Sequence, residues 1–232
     1  MSHHRLSDQI VARFWEFVGQ GLSYSTAWEK VREWCEEEGR KRGLTDPTNS
    51  WRSASGQAFE VIAQNLVIEQ VGKSDLTEHL VLYRWRDSPA WIRDGILSER
   101  VWPKDELREP ETAYSNVDLI CIAKDMAGDA ARVLSVYSCK SSVAERYQQD
   151  LYWAERLRGR SIKFCFVTID QGFVNYAIGS RNSSRDPKAI TLGRALYDRI
   201  YLLTEDKIVN SPRVFKGIEE VVKDMDLWLQ AD

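Results

Sequence analysis

Asp118 lies near the start of one apolar run, VDLICIAK, and Lys140 closes the next, VLSVYSCK, 22 positions later. An acid and a lysine at the same end of two adjacent strands can hold a divalent cation and a water against a phosphodiester. Hydrolysis of that bond needs a nucleophilic water, neutralised charge on the phosphorane, and a proton for the leaving oxygen. Asp118 offers a carboxylate for Mg2+, an ion that binds through one or two carboxylates and keeps several of its waters. Lys140 can orient or deprotonate the water, or stabilise charge in the transition state, and the sequence leaves these roles open. The backbone carbonyl of Cys139 points away from its own side chain and can complete the metal shell. A lysine ending an apolar strand also needs a partner, because lysine is almost never buried alone.

The elements around this pair follow from periodicity. Residues 117–125 read as a strand, and 126–131 (MAGDAA) as the turn. RVLSVYSCK is the partner strand, with Val133, Ser135, Tyr137 and Cys139 on one face and Leu134, Val136, Ser138 and Lys140 on the other. Residues 143–158 form a helix with the stripe Val143, Tyr147, Leu151 and Ala154, ended by Gly159. IKFCFVTID and RIYLLTED are further strands, separated by the polar loop GSRNSSRDPK, and 213–229 closes as an amphipathic helix.

Upstream, residues 5–42 carry two helices. The first has Leu6, Ile10, Phe14 and Phe17, and the second is capped by Ser23 and ends in the solvated run EEEGRKRG. Residues 45–53 read as a loop by composition. SASGQAFEVIAQNLVIEQVG is then a helix capped by Ser53 or Ser55, with the stripe Phe59, Ile62, Leu66, and ended by Gly72. On spacing alone Glu60, in its first turns, is a surface acid favoured by the positive helix end. LVLYRW is strand-like, and the rest of 73–116 mixes short helical and loop signals. The order predicts an α/β fold, a mixed central β-sheet flanked by helices, with a helical N-terminal extension. Residues 1–45 form a helical arm or subdomain and 46–232 the catalytic domain.

Composition narrows the class. The 232 residues are 43% hydrophobic and 29% charged, which predicts a folded, soluble protein. A formal net charge of −3 does not point to nucleic acid, though a local basic groove is compatible with it. The four cysteines, Cys35, Cys121, Cys139 and Cys165, are scattered, and with only three histidines a zinc site has little support. Free buried thiols in a reducing cytoplasm are expected. No signal peptide or membrane-spanning run is visible, which predicts a cytoplasmic protein with no membrane partner. Nine tryptophans must help fill the core and identify nothing by themselves.

VDLI followed by SCK resembles the PD-(D/E)xK nuclease motif in a degenerate form. SGQAFE resembles the N-terminal helix of many type II restriction endonucleases, in which the glutamate reaches the metal site. SCKSSVAERYQQ resembles enzymes that cut CCGG or CCNGG, where a similar Ser-x-Lys precedes an Arg/Glu-rich segment at a helix start. The interval of 22 between acid and lysine suits the CCNGG subgroup. The resemblance covers roughly residues 54–170. It implies a restriction-endonuclease-like core and Mg2+-dependent hydrolysis of double-stranded DNA at a short, palindromic, C/G-containing site. It also implies that Asp118, Lys140 and Glu60 are catalytic and that Asp118, Glu60 and Cys139 hold the metal.

The chain departs from the pattern at several positions. Asn116-Val117 replaces the proline expected before the acid, and Ser138 stands where the motif has Asp or Glu. In the CCGG-type enzymes the missing acid moves onto the following helix, about two turns past the recognition arginine, where this chain has Trp153. The neighbouring acids are Asp150, which at i, i+4 can pair with Arg146, and Glu155, a further catalytic candidate. The resemblance therefore shifts the missing carboxylate toward Glu60.

Glu145 and Arg146 can read bases: arginine donates twice to guanine O6 and N7, and glutamate accepts from cytosine N4. The resemblance implies the same role, although Ala144 stands where an arginine often precedes the Glu. Without base reading, the two are a helix-start acid and an ion-pair partner. Ser141 and Ser142, with Arg181 and Arg185 of the polar loop, are candidate phosphate contacts. Cutting both strands of a symmetric site predicts a homodimer or a higher oligomer. The competing readings are a repair or mobile-element nuclease of low specificity, and a non-catalytic DNA-binding domain on a nuclease-like core.

Overall fold

The computed structural model describes residues 3–43, 45–101, 111–115, 117–124, 131–141, 147–180, 187–211 and 213–231. The elements, in chain order, are α1 (His3–Gly19), α2 (Tyr24–Lys41), α3 (Pro47–Gly72), β1 (Leu80–Arg84), α4 (Ala90–Gly95), β2 (Ser98–Val101), β3 (Glu111–Tyr114), β4 (Leu119–Ala123), β5 (Arg132–Cys139), α5 (Tyr147–Arg158), β6 (Lys163–Thr168), α6 (Gln171–Ala177), α7 (Pro187–Leu196), β7 (Arg199–Leu202), β8 (Phe215–Gly217) and α8 (Val221–Gln230). Six strands form one sheet in the order β1-β4-β5-β6-β7-β8, and β2 and β3 form a separate ribbon. The β1–β4 and β4–β5 pairs are antiparallel, and the remaining three pairs are parallel. The sheet is therefore mixed, with helices on both faces.

Each face has its own apolar core. One joins Leu119, Cys121, Tyr137 and Cys139 to Phe59, Ile62 and Leu66 of α3 and to Val221, Met225 and Trp228 of α8. The other joins Ile120, Ile122, Val133 and Val136 to Ala154 and Leu157 of α5, Phe173 of α6 and Ile190 of α7. Every residue of β4 is buried, as a central strand covered on both sides must be. Helices α1 and α2 pack on α3 through Ile10, Phe14, Ala27 and Val31, and their buried residues belong to the first core. Tryptophan does much of this filling: the Trp28 ring lies 4.9 Å from Trp51 and 5.6 Å from Phe59. All four cysteines are free and buried. Among the described residues no helix is long and apolar enough to cross a membrane.

The structure differs from the expectations in four places. Residues 47–53 are helical, because the Asp46 side chain accepts from Asn49 N–H and Pro47 takes a first-turn position that needs no N–H. Neither Ser53 nor Ser55 is the cap, and Glu60 sits mid-helix, too far from the helix start for the positive end to explain it. Strict alternation along β5 breaks at a bulge where Cys121 pairs with Ser135 but Ile122 with Val133. Leu134 consequently joins Tyr137 and Cys139 in the first core, and Val133 joins Val136 in the second. Finally, Phe215–Gly217 is an edge strand before α8, and α6 and α7 follow β6 where no helix is expected. The MAGDAA turn falls largely outside the described residues.

Candidate active site

The antiparallel pairing of β4 with β5 puts the start of one beside the end of the other. Leu119 pairs with Tyr137, and the Asp118 N–H donates to Tyr137 O at 2.8 Å. Asp118 therefore precedes β4 at the edge where Lys140 follows β5. The Cys139 N–H donates to Asp118 Oδ2 at 2.7 Å, which aims the carboxylate at the strand end. The Lys140 N–H donates to Val167 O of β6 at 3.0 Å, so the lysine backbone is fixed by the parallel side of the sheet.

Lys140 joins three elements. Its ammonium donates to Asp118 Oδ2 at 2.8 Å, to Asp118 Oδ1 at 3.0 Å, and to Glu60 Oε1 of α3 at 2.6 Å. The Lys140 side chain is 9% exposed, that of Asp118 12%, and that of Glu60 32%, so Glu60 is the member facing solvent. An ammonium this buried persists only with its donors satisfied, and the two carboxylates do that. The backbone under Asp118 is held as well: its carbonyl accepts from Gln64 Nε2 at 2.9 Å and from the Trp85 N–H at 3.2 Å.

Burial is the largest influence on Asp118 and pushes its carboxyl up to about 6, with the Lys140 ammonium pulling it back and the Glu60 charge adding to the rise. Burial acts against the Lys140 charge, but the Asp118 and Glu60 carboxylates outweigh it and hold the ammonium above its ordinary value. Burial drives the Cys139 thiol well up, and its side chain belongs to the apolar core.

A cavity of about 460 Å³ opens onto this cluster, lined by Glu60, Asp118 and Lys140 together with Gln57, Val61 and Gln64 of α3, Arg84, Trp85, Arg86 and Asp87 at the end of β1, and Ser115 and Val117. The donors that the cluster presents to the cavity are hard oxygens, the carboxylates of Asp118 and Glu60. Among the described residues no three His, Cys, Asp or Glu side chains gather into a metal cage. That donor set suits a Mg2+-type ion that retains waters and does not suit zinc.

Of the other site residues predicted from sequence, Ser141 is partly exposed next to Lys140. Ser142, Glu145, Arg146, Arg181 and Arg185 lie outside the described residues. Trp153 is buried. Asp150 is buried too, accepting from Tyr197 Oη at 2.5 Å, so its place is in the core and not at the cluster. Glu155 is exposed on α5 and does not line the cavity. Ser138 is 1% exposed and among the described residues its hydroxyl has no partner. Gln64, Arg84, Arg86 and Ser115 were not legible as site residues. For Gln64 a signal existed: it stands at i+4 from Glu60, which puts both polar side chains on one face of α3.

Comparison with known proteins adds three findings. A family model described as BsaWI restriction endonuclease type 2 matches residues 100–226, more than half of the chain and including Asp118 and Lys140. The fold is similar to that of the restriction endonuclease AgeI, crystallised with DNA, at a TM-score of 0.59 and 16% identity, covering 98% of this chain and 84% of that one. It is also similar to the restriction endonuclease BsaWI, crystallised in a pre-specific DNA complex, at a TM-score of 0.47 and 17% identity, covering 97% of this chain and 79% of that one. A search of curated proteins gave no match.

Proposed function

The chain belongs to the BsaWI restriction endonuclease family of type 2 enzymes, site-specific deoxyribonucleases, and from this we propose that it hydrolyses double-stranded DNA with Mg2+ at a short, palindromic, C/G-containing site. The observation that carries the mechanism is the contact of Lys140 with both Asp118 and Glu60 at the wall of an open polar cavity. Asp118, Glu60 and the Cys139 carbonyl would hold the cation. When bound, the cation neutralises developing negative charge and acidifies water. Asp118 is aimed by the Cys139 N–H and steadied through its carbonyl by Gln64 and Trp85. Lys140 orients the attacking water and stabilises the charge that builds on the phosphorane. Glu60 keeps Lys140 in place from the helix side.

Glu145 and Arg146 read cytosine and guanine in the major groove, and Ser141, Ser142, Arg181 and Arg185 contact phosphates. A two-fold homodimer, or a tetramer built from it, presents two such sites to the two strands of a palindrome. The enzyme acts in the cytoplasm, where a DNA methyltransferase of the same specificity protects the host site.

The test is digestion of a long DNA of known sequence with Mg2+, followed by end mapping. Discrete fragments with a common end sequence are expected, and they define the site. EDTA stops cleavage while binding persists, and cutting that continues without divalent ions overturns the mechanism. Arg146→Ala abolishes cleavage at the mapped site, whereas unchanged site selection removes Arg146 from base reading.

A further inference from the structure

The cavity that holds Glu60, Asp118 and Lys140 is lined by a second group that the mechanism leaves unused. Arg84 ends β1, and Trp85–Asp87 is the single 3-10 turn that follows it. Arg84 Nη2 donates to Asn65 Oδ1 at 2.9 Å, which fixes that guanidinium beside α3, the helix that carries Glu60 and Gln64. Arg86 is exposed. Among the described residues neither arginine has a carboxylate partner. In a chain of net charge −3, two arginines that line one cavity and make no ion pair among the described residues mark a place for an anion. Asp87 also lines the cavity here, and it is exposed.

Ser115 makes an independent case. It lines the same cavity, is 4% exposed, and among the described residues its hydroxyl has no hydrogen-bond partner. Its backbone is fixed by a bond from its N–H to Leu97 O at 2.8 Å. A buried hydroxyl without a partner is uncommon in a folded protein, and an oxyanion entering the cavity supplies one. The Trp85 N–H on Asp118 O ties the arginine turn to the backbone of the acid, so wall and carboxylate keep a fixed spacing.

We propose that Arg84, Arg86 and Ser115 form a phosphate-contact wall that holds the DNA backbone beside the Glu60–Lys140–Asp118 cluster. This rests on the nuclease reading above. Guanidinium forks match phosphate oxygens and carry no sequence information, so the wall positions the strand and leaves base reading to other residues.

The test is equilibrium binding of the intact chain to a short fluorescein-labelled duplex, and to a second duplex of unrelated sequence, in EDTA across a salt series. Arg84→Gln and Arg86→Gln should each make the slope of log K against log salt shallower by about 0.9, and the double variant by about 1.8, on both duplexes alike. Ser115→Ala should weaken both duplexes several-fold and leave the slope unchanged. Arg86 is exposed and pairs with nothing described, so Arg86→Gln folds as the wild type does, which thermal melting verifies. A double variant with the wild-type slope overturns the wall, and so does a loss confined to one duplex, which would mean base reading. Wild-type protein that neither binds nor cuts DNA overturns the nuclease reading, and the wall falls with it.

Discussion

Lys140 Nζ and Glu60 Oε1 meet at 2.6 Å across 80 positions of chain. The contact joins the end of β5 to the middle of α3, so the sheet edge and the helix packed on it share one charged cluster. Lys140 is the centre of that cluster, because both carboxylates converge on its ammonium.

Removing the centre should separate catalysis from binding. In Lys140→Ala, cleavage is expected to fall on the order of 10²–10⁴-fold, while affinity for DNA measured in EDTA changes little. The check is single-turnover cleavage beside anisotropy binding. A variant that cleaves as the wild type does would end the catalytic assignment.

The two candidate acids should part. Glu60→Gln is expected to lose on the order of 10²-fold in cleavage and much of the rise in melting temperature that Mg2+ produces, because the cation loses one of two carboxylates. Glu155→Gln, altering an exposed side chain off the cavity, should leave both unchanged. Equal losses in both variants would contradict the geometry.

Asp118 gives a pH signature. Its carboxyl is raised from 3.8 to about 6 in the folded chain, so between those values the native state holds a proton that the unfolded chain has released. Stability from this group is therefore present at low pH, falls as pH rises through that window, and stays reduced above about pH 6. Asp118→Asn, which cannot ionise, should escape the fall. In EDTA the stability of the variant relative to wild type should climb by about 1–3 kcal/mol between about pH 4 and about pH 7. Denaturant melts across that range test this, and a difference that is flat or falls would reverse the sign.

Gln64 tests whether the backbone under Asp118 matters. Gln64→Met keeps a similar volume and removes one of the two donors to the Asp118 carbonyl. A stability loss of about 1 kcal/mol is expected. Cleavage should drop about tenfold with unchanged DNA affinity, since a displaced carboxylate costs rate before it costs binding. Cleavage at the wild-type rate would leave Gln64 with a purely structural part.

Much of the site was legible because its parts are local. An apolar run needs no tertiary information to declare itself a strand, and a short connection forces two such runs to pair antiparallel. Asp118 and Lys140 then fall at one edge. The breaks in legibility also have local causes. Reading 45–53 as a loop placed the start of α3 too late, and so put Glu60 near a helix end; the cap from Asp46 and the early Pro47 move that start upstream. The bulge at Cys121–Ile122 swaps the faces of Val133 and Leu134 because one inserted residue shifts a two-residue period by one. The edge strand Phe215–Gly217 hid in a helical pattern because three residues are too few to show a period.

The sequence by itself determined the class of fold, the adjacent strands and the acid–lysine pair at their shared end, since these depend on residue type and short spacing. It also held Glu60 as a candidate, but only through resemblance. Only the tertiary structure decided that α3 lies across the sheet edge with Glu60 on Lys140, that Gln64 and Trp85 hold Asp118 from behind, and that Arg84, Arg86 and Ser115 line the same cavity. These contacts join distant stretches of chain, and their geometry comes from how helix and sheet pack, which no local pattern encodes.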